Sequence, residues 1–221
     1  MSGSNEISGS NIIAVFDFDG TLIKDDSMML FFRRYYKISW ENIGALLVLV
    51  RETVKFFMKI NSRKQYKEKF LNIVISSLKN KGLEEIGTDF SKFLLKKISK
   101  DALLEINRLK EKGCETILLS ASLDFYLREI KEALGFSRLV CTLTSLKEGK
   151  IIITGENCYG QNKIERLLEQ YPKDSIDWHN SYCFTDNLSD SGLLSLFGNP
   201  FAVNNFKMAV KNARVKNIAW K

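Results

Sequence analysis

An apolar run at residues 12–16 leads straight into Asp17-Phe18-Asp19-Gly20-Thr21. Two carboxylates two positions apart at the end of a strand face the same way if the strand continues, and the glycine after them lets the backbone turn sharply. In a parallel α/β sheet this carboxyl end is where ligands bind. Aspartates in such a place also serve as turn residues or helix caps, and the segment alone leaves both readings open.

Three later segments repeat the theme. Residues 116–119 form a second apolar run that ends in Ser120-Ala121-Ser122 before a helical pattern. The Ser120 hydroxyl and the first N–H groups of that helix suit a phosphate, while Ser122 equally suits an N-cap. Lys163 opens a helix over 163–170 behind a polar loop, where a lysine is ordinarily a solvated surface group. Residues 182–184 run into Thr185-Asp186-Asn187-Leu188-Ser189-Asp190. Asp186 suits a cation at the sheet edge, with Asp190 either standing behind it or sitting in a first helical turn.

The elements that must position these residues are strands 12–16, 116–119, 182–184 and 201–203, each buried on both faces by its apolar content. Their alternation with helical patterns predicts an α/β fold, a Rossmann-like parallel sheet core. Residues 139–154 read as two extended runs around Lys147-Glu148-Gly149-Lys150, a hairpin. Between the first two strands the texture changes to apolar residues at three- and four-residue spacing, giving helices over 27–38, 40–60, 62–78 and 83–98. A further helix over 101–112 takes Asp101 as its N-cap and stops before Gly113. The expected organisation is a loose polar tail at 1–10, a catalytic core of 11–26 plus 100–221, and an inserted helical cap domain at 27–99.

Composition narrows the chemistry. Of the 221 residues only His179 is a histidine, which excludes a histidine-based metal cluster and leaves a Ser-His-Asp mechanism resting on one residue. The four cysteines are scattered without a C-x-x-C pair, which points to buried thiols in a reducing cytosol. The longest apolar stretch, 43–50, is far too short to span a bilayer. The net charge of +7 calls for an anionic partner, and it is unevenly placed: residues 51–112 hold 16 of the 33 Lys+Arg but 8 of the 26 Asp+Glu. The surplus therefore belongs to the inserted helices and the helix that follows them. Basic and aromatic positions do not interleave at the strand ends, so no nucleic acid partner is expected.

Taken in order, the aspartate pair, the strand-end serine, the lysine and the second acidic pair resemble the haloacid dehalogenase superfamily of phosphohydrolases, from residue 12 to the C-terminus. The helical insertion, Asn157-Cys158-Tyr159-Gly160 and Ala202-Val203-Asn204 are similar to its phosphoserine-phosphatase-like branch. The resemblance implies Asp17 as nucleophile forming an aspartyl-phosphate and Asp19 as general acid and then base. It implies Mg²⁺ held by Asp17, the backbone carbonyl of Asp19 and Asp186, with Ser189 and Asp190 behind them. Thr21, Ser120, Ala121 and Lys163 would grip the phosphoryl oxygens. Phosphoserine phosphatases usually carry a glutamate where Asp26 stands, and no match to their arginine-bearing cap segment is evident; Asp26 is thus the substrate-contact candidate, and phosphoserine itself is doubtful. The implied partner is a phosphorylated small molecule or a lipid phosphate. Apolar 43–50 and Phe56-Phe57-Met58 beside the basic surplus add an anionic membrane surface as a candidate partner, set against a plain cap with its own core and a solvated basic face. A phosphotransferase or mutase on the same site, and a noncatalytic binding protein of the same fold, are the alternatives.

Overall fold

The computed structural model describes residues 11–37, 40, 43–76, 78, 82–172, 174–205, 207 and 214–221; the expected tail at 1–10 lies outside them. Strand β1 (Ile13–Phe16) is followed by four helices, α1 (Ser27–Tyr35), α2 (Ile43–Phe57), α3 (Arg63–Ser76) and α4 (Leu83–Leu95). Then come α5 (Lys100–Glu111), β2 (Glu115–Leu123), α6 (Asp124–Leu134), β3 (Arg138–Lys147), β4 (Lys150–Thr154) and α7 (Gln161–Leu168). The chain closes with β5 (Tyr182–Thr185), a short 3-10 turn (Leu188–Asp190), α8 (Ser191–Leu196), β6 (Asn199–Val203) and β7 (Lys216–Ile218). The seven strands form one sheet in the order β4-β3-β2-β1-β5-β6-β7, parallel except where β4 runs antiparallel to β3. The α/β expectation and the four strands hold, and the hairpin turns through Glu148 and Gly149, both at positive φ.

Period-two alternation sends the strand residues into two apolar layers. Ile13, Val15, Ile117, Leu119 and Cys183 face Leu167 and Leu193 on one side, and Ala14, Phe16, Leu118 and Phe184 belong to the larger cluster on the other. That larger cluster also takes in Phe31, Phe90, Leu94, Leu127 and Ile130, so the inserted helices do not keep a core of their own. Gly87 makes this joining possible: a Cβ there would stand 2.2 Å from the backbone oxygen of Phe125, so α4 lies directly on α6.

Four sequence expectations are corrected. The helix after the insertion starts at Lys100 under an N-cap from Ser99, whose hydroxyl accepts from the Ala102 N–H; Asp101 sits in the first turn and accepts from the Lys221 N–H instead. β2 runs on to Leu123, so α6 opens at Asp124 and Ser122 is not its cap. Lys163 is the third residue of α7, not its first. β7 was not expected because three residues, Lys216-Asn217-Ile218, carry no apolar run; parallel pairing with β6 makes them a strand. The inserted helices also end earlier than their periodicity suggests; residue 38, the expected end of the first, lies outside the described residues.

Helix α3 covers the exposed edge of β4 with side chains. Asn72 both donates to the Ile151 carbonyl and accepts from its N–H, Glu68 accepts from the Ile153 N–H, and Lys64 donates to the Gly155 carbonyl just beyond the strand. Residues 64, 68 and 72 are one turn apart, so a single helix face supplies what a neighbouring strand would. Helix α2 is tied to α3 in turn through Glu52. Its buried carboxylate accepts from Lys69 at 2.6 Å and Asn61 at 2.7 Å and is also met by Arg51 and Lys55. The Lys69 bond above all, then Asn61, Arg51 and Lys55, lowers its pKa from 4.5 to about 2.

A depressed carboxylate stabilises the fold above its unfolded pKa and loses that contribution as pH falls through the folded one. Glu52→Gln is therefore expected to lower the urea midpoint at neutral pH, with the gap to the parent closing between pH 4.5 and about 2. A gap independent of pH contradicts this.

Candidate active site

The parallel strands deliver their loops to one edge of the sheet, where a cavity of about 320 Å³ opens. Asp17, directly after β1, is 7% exposed. One of its oxygens accepts from the Phe18 N–H at 2.7 Å, and the other meets the Lys163 ammonium at 2.9 Å. Lys163, expected on a solvated surface by residue type alone, is 2% exposed. It reaches the edge from α7 because Gly160, at φ +58°, turns the loop into that helix. Its ammonium also binds Asp190 at 2.7 Å, and that same oxygen accepts from the Thr185 hydroxyl at 2.8 Å. Burial opposes the charge on Lys163, but the two flanking carboxylates outweigh it and hold its pKa well above the ordinary value.

Asp19 points the other way. Its carboxylate accepts from the Ser27 N–H at 2.8 Å, the Ser27 hydroxyl at 3.0 Å and the Ser122 hydroxyl at 2.5 Å. Ser27 is the first residue of α1, whose N-terminal N–H has no partner within the helix and so serves Asp19. Ser27 also hydrogen-bonds Ser122 and the Tyr126 hydroxyl, each at 2.9 Å. Burial, reinforced by Asp26, raises the Asp19 pKa to about 7 against these donors. One carboxylate of the pair is thus held by a cation and the other in a mostly neutral hydroxyl pocket.

Asp186 completes the edge. Thr21 donates to its carboxylate at 3.2 Å and accepts from its N–H at 3.0 Å. Gly20, at φ +70°, lies against it so closely that a Cβ would stand 2.1 Å from the carboxylate, which is why that position must be glycine. Burial and the neighbouring Asp17 raise the Asp186 pKa to about 6. Two carboxylates that repel each other at a site open to solvent suit a shared cation. Among the described residues no three His, Cys, Asp or Glu side chains group as metal ligands. The donors at hand are two carboxylates and backbone oxygens, an oxygen-only set that fits Mg²⁺, which keeps waters of its own.

Of the other expected residues, Ser120 and Ala121 line the cavity, with Ser120 accepting from the Ser122 N–H at 3.1 Å. They stand on a strand, because the β2–β3 register shifts between Leu119 and Leu123, and not on a helix N-terminus. Thr21 braces Asp186 and is not among the lining residues. Ser189 contacts Asp190 at 3.4 Å, behind the edge. Asp26 lines the cavity and also caps α1, accepting from the Met29 N–H. His179 is not at the cavity.

The residues sequence reasoning missed are those from the insertion. Lys67 of α3 reaches across to the Ala121 carbonyl at 2.6 Å and Asn157 at 2.7 Å, and burial lowers its pKa to about 8. Arg63 lies 3.8 Å from the centre of the Tyr159 ring, at the cavity wall. Both belong to a helix read only as a basic face, and nothing in their spacing separates them from Lys64 or Lys69. Ser122 carries a signal, a hydroxyl two residues past Ser120, that suits an N-cap equally well; here it donates to Asp19.

Residues 14–195 match the family model for haloacid dehalogenase-like hydrolase. The chain belongs to this family. A probable phosphatase from Mycobacterium tuberculosis (strain ATCC 25618 / H37Rv) is 23% identical over 216 residues, covering 92% of this chain and 72% of that protein. A protein of unknown function from Bordetella pertussis Tohama I has a similar structure, with TM-score 0.76, 19% identity and 95% and 98% of the two chains covered. An apo phosphoserine phosphatase is similar at TM-score 0.65 with 20% identity, over 94% of this chain and 93% of that one. The fold is that of the haloacid dehalogenase-like hydrolases and is similar to that of the phosphoserine phosphatase.

Within this hydrolase, Lys163→Met would leave Asp17 and Asp190 buried and unpaired, and losing one partner of a buried ion pair costs about 3–5 kcal/mol. Urea unfolding at pH 7 should show a loss of that size, with Asp190→Asn costing less. A loss near zero for Lys163→Met contradicts the arrangement.

Proposed function

We propose that the protein is a Mg²⁺-dependent phosphatase that hydrolyses a phosphate monoester, from a phosphorylated small molecule or a lipid phosphate, in a cytosolic setting. The observation that carries the reading is the unlike environment of Asp17 and Asp19 in one cavity: a carboxylate paired with Lys163 beside a carboxyl whose pKa is raised to about 7. An oxygen of Asp17 attacks phosphorus, the bond to the leaving alkoxide breaks, and Asp19 gives that alkoxide its proton. Water then attacks the aspartyl-phosphate, Asp19 takes the proton back, and inorganic phosphate leaves. Lys163, Ser120 and the backbone around Ala121 hold the phosphoryl oxygens as charge develops on them. Asp17, the Asp19 carbonyl and Asp186 would hold Mg²⁺, which when bound offsets the repulsion between the phosphate dianion and the attacking carboxylate.

Residues 27–99 act in this reading as a cap over the edge of the sheet. Arg63 and Lys67 bring positive charge to the cavity wall, and Asp26 is poised to meet a substrate group. Thr21 acts through Asp186.

Asp17→Asn is expected to abolish turnover of a generic aryl phosphate while leaving the circular dichroism unchanged. EDTA should silence the parent enzyme and Mg²⁺ restore it. Activity unaffected by the substitution removes the mechanism.

A further inference from the structure

Helix α2 packs by one face only. Leu49 and Glu52 are buried, and Ala45 and Leu46 pack against the core cluster. On the opposite side Ile43, Leu47, Val50, Val54 and Phe57 follow one another at spacings of four, three, four and three, which at about 100° per residue keeps them in a single stripe. All five are exposed, Leu47 at 66% and Phe57 at 78%. Met58 and Ile60 extend the apolar surface past the helix end, and Trp40, three residues before the helix, is 89% exposed. An apolar stripe of this extent is not needed for the packing of the helix, and surfaces of this kind mark contacts.

Charge says which contact. From residue 43 to residue 63 the cations are Arg51, Lys55, Lys59 and Arg63 against a single carboxylate, Glu52, which is turned inward and shared among Lys69, Arg51 and Lys55, so the segment keeps a basic excess. Arg51 and Lys55 flank one side of the stripe. A second copy of this chain would set the same basic helices against each other, whereas an anionic lipid surface complements them. The helix is 15 residues long, and among the described residues no helix is long and apolar enough to cross a membrane, so it would lie on the surface.

We propose that the outer face of α2 docks the protein on an anionic bilayer, with Leu47, Val50, Val54 and Phe57 entering the headgroup boundary and the flanking basic residues meeting acidic headgroups. Phe56, on the face of the helix away from the stripe, stacks on Tyr66 of α3 and lies 5.5 Å from the guanidinium of Arg63. The proposal concerns a surface away from the reacting groups and stands whether or not the protein is a phosphatase.

The test is cosedimentation of the full chain with vesicles of phosphatidylcholine alone and of phosphatidylcholine mixed with phosphatidylglycerol, at low and high salt. Binding at least about tenfold stronger to the anionic vesicles, weakened by salt, is expected. The double variant Leu47→Glu, Phe57→Glu should lose about tenfold or more of that binding while keeping the parent's thermal unfolding and its turnover of a soluble aryl phosphate. Failure of the parent to bind anionic vesicles overturns the proposal, as does equal binding of a folded double variant. A concentration-dependent dimer that Phe57→Glu disrupts, without vesicle binding, assigns the face to a second copy and overturns it too.

Discussion

The ammonium of Lys163, buried between Asp17 and Asp190, is the contact on which the rest of the site depends. A buried ammonium is tolerable in so little water because it lies between two carboxylates, and Asp190 is further satisfied by Thr185. The arrangement ties the loop after β1, the start of α7 and the turn after β5 to one point. It also fixes which oxygen of Asp17 is engaged, so that the backbone at Phe18 and the lysine together orient the carboxylate. A neutral residue in place of Lys163 would leave both buried carboxylates without a cation.

The two aspartates of the first motif differ through their surroundings and not their type. Asp17 faces a permanent cation, while Asp19 faces hydroxyls and one backbone N–H and is pushed toward its protonated form. That difference requires α1 to begin at Ser27, since the N-terminal N–H and hydroxyl of that residue both go to Asp19. The inserted helices therefore help to build the site. Their shared apolar cluster with α6, and the cladding of β4 by α3, set Arg63 and Lys67 against the cavity.

Much of this was readable from residue types. The four apolar runs are strands because residues buried on both sides of a sheet must be apolar throughout, and the acidic pairs follow them directly. Asp17, Asp19, Ser120, Lys163 and Asp186 do meet at one cavity. What was not readable depends on tertiary contacts. Lys163 looks like any surface lysine until its two carboxylates are found across the sheet. Ser122 resembles a helix cap, yet β2 continues past it. Thr21 suits a phosphate by type but is occupied by Asp186, and Lys67 is one basic residue among many on α3. β7 has no apolar signal at all and exists by pairing with β6. The basic surplus and the apolar content of residues 43–50 and 56–58 were legible, whereas which apolar residues of α2 stay exposed depends on the face that the helix buries.

The central claim is that Asp17 carries the phosphoryl group in turnover. The most direct test is acid quenching of the protein during steady-state hydrolysis of an aryl phosphate with Mg²⁺, followed by peptide mapping by mass spectrometry. The account predicts a phosphoryl adduct on the peptide containing Asp17, located at that residue and labile to hydroxylamine. Sustained turnover with no adduct, or an adduct on another side chain, would contradict it.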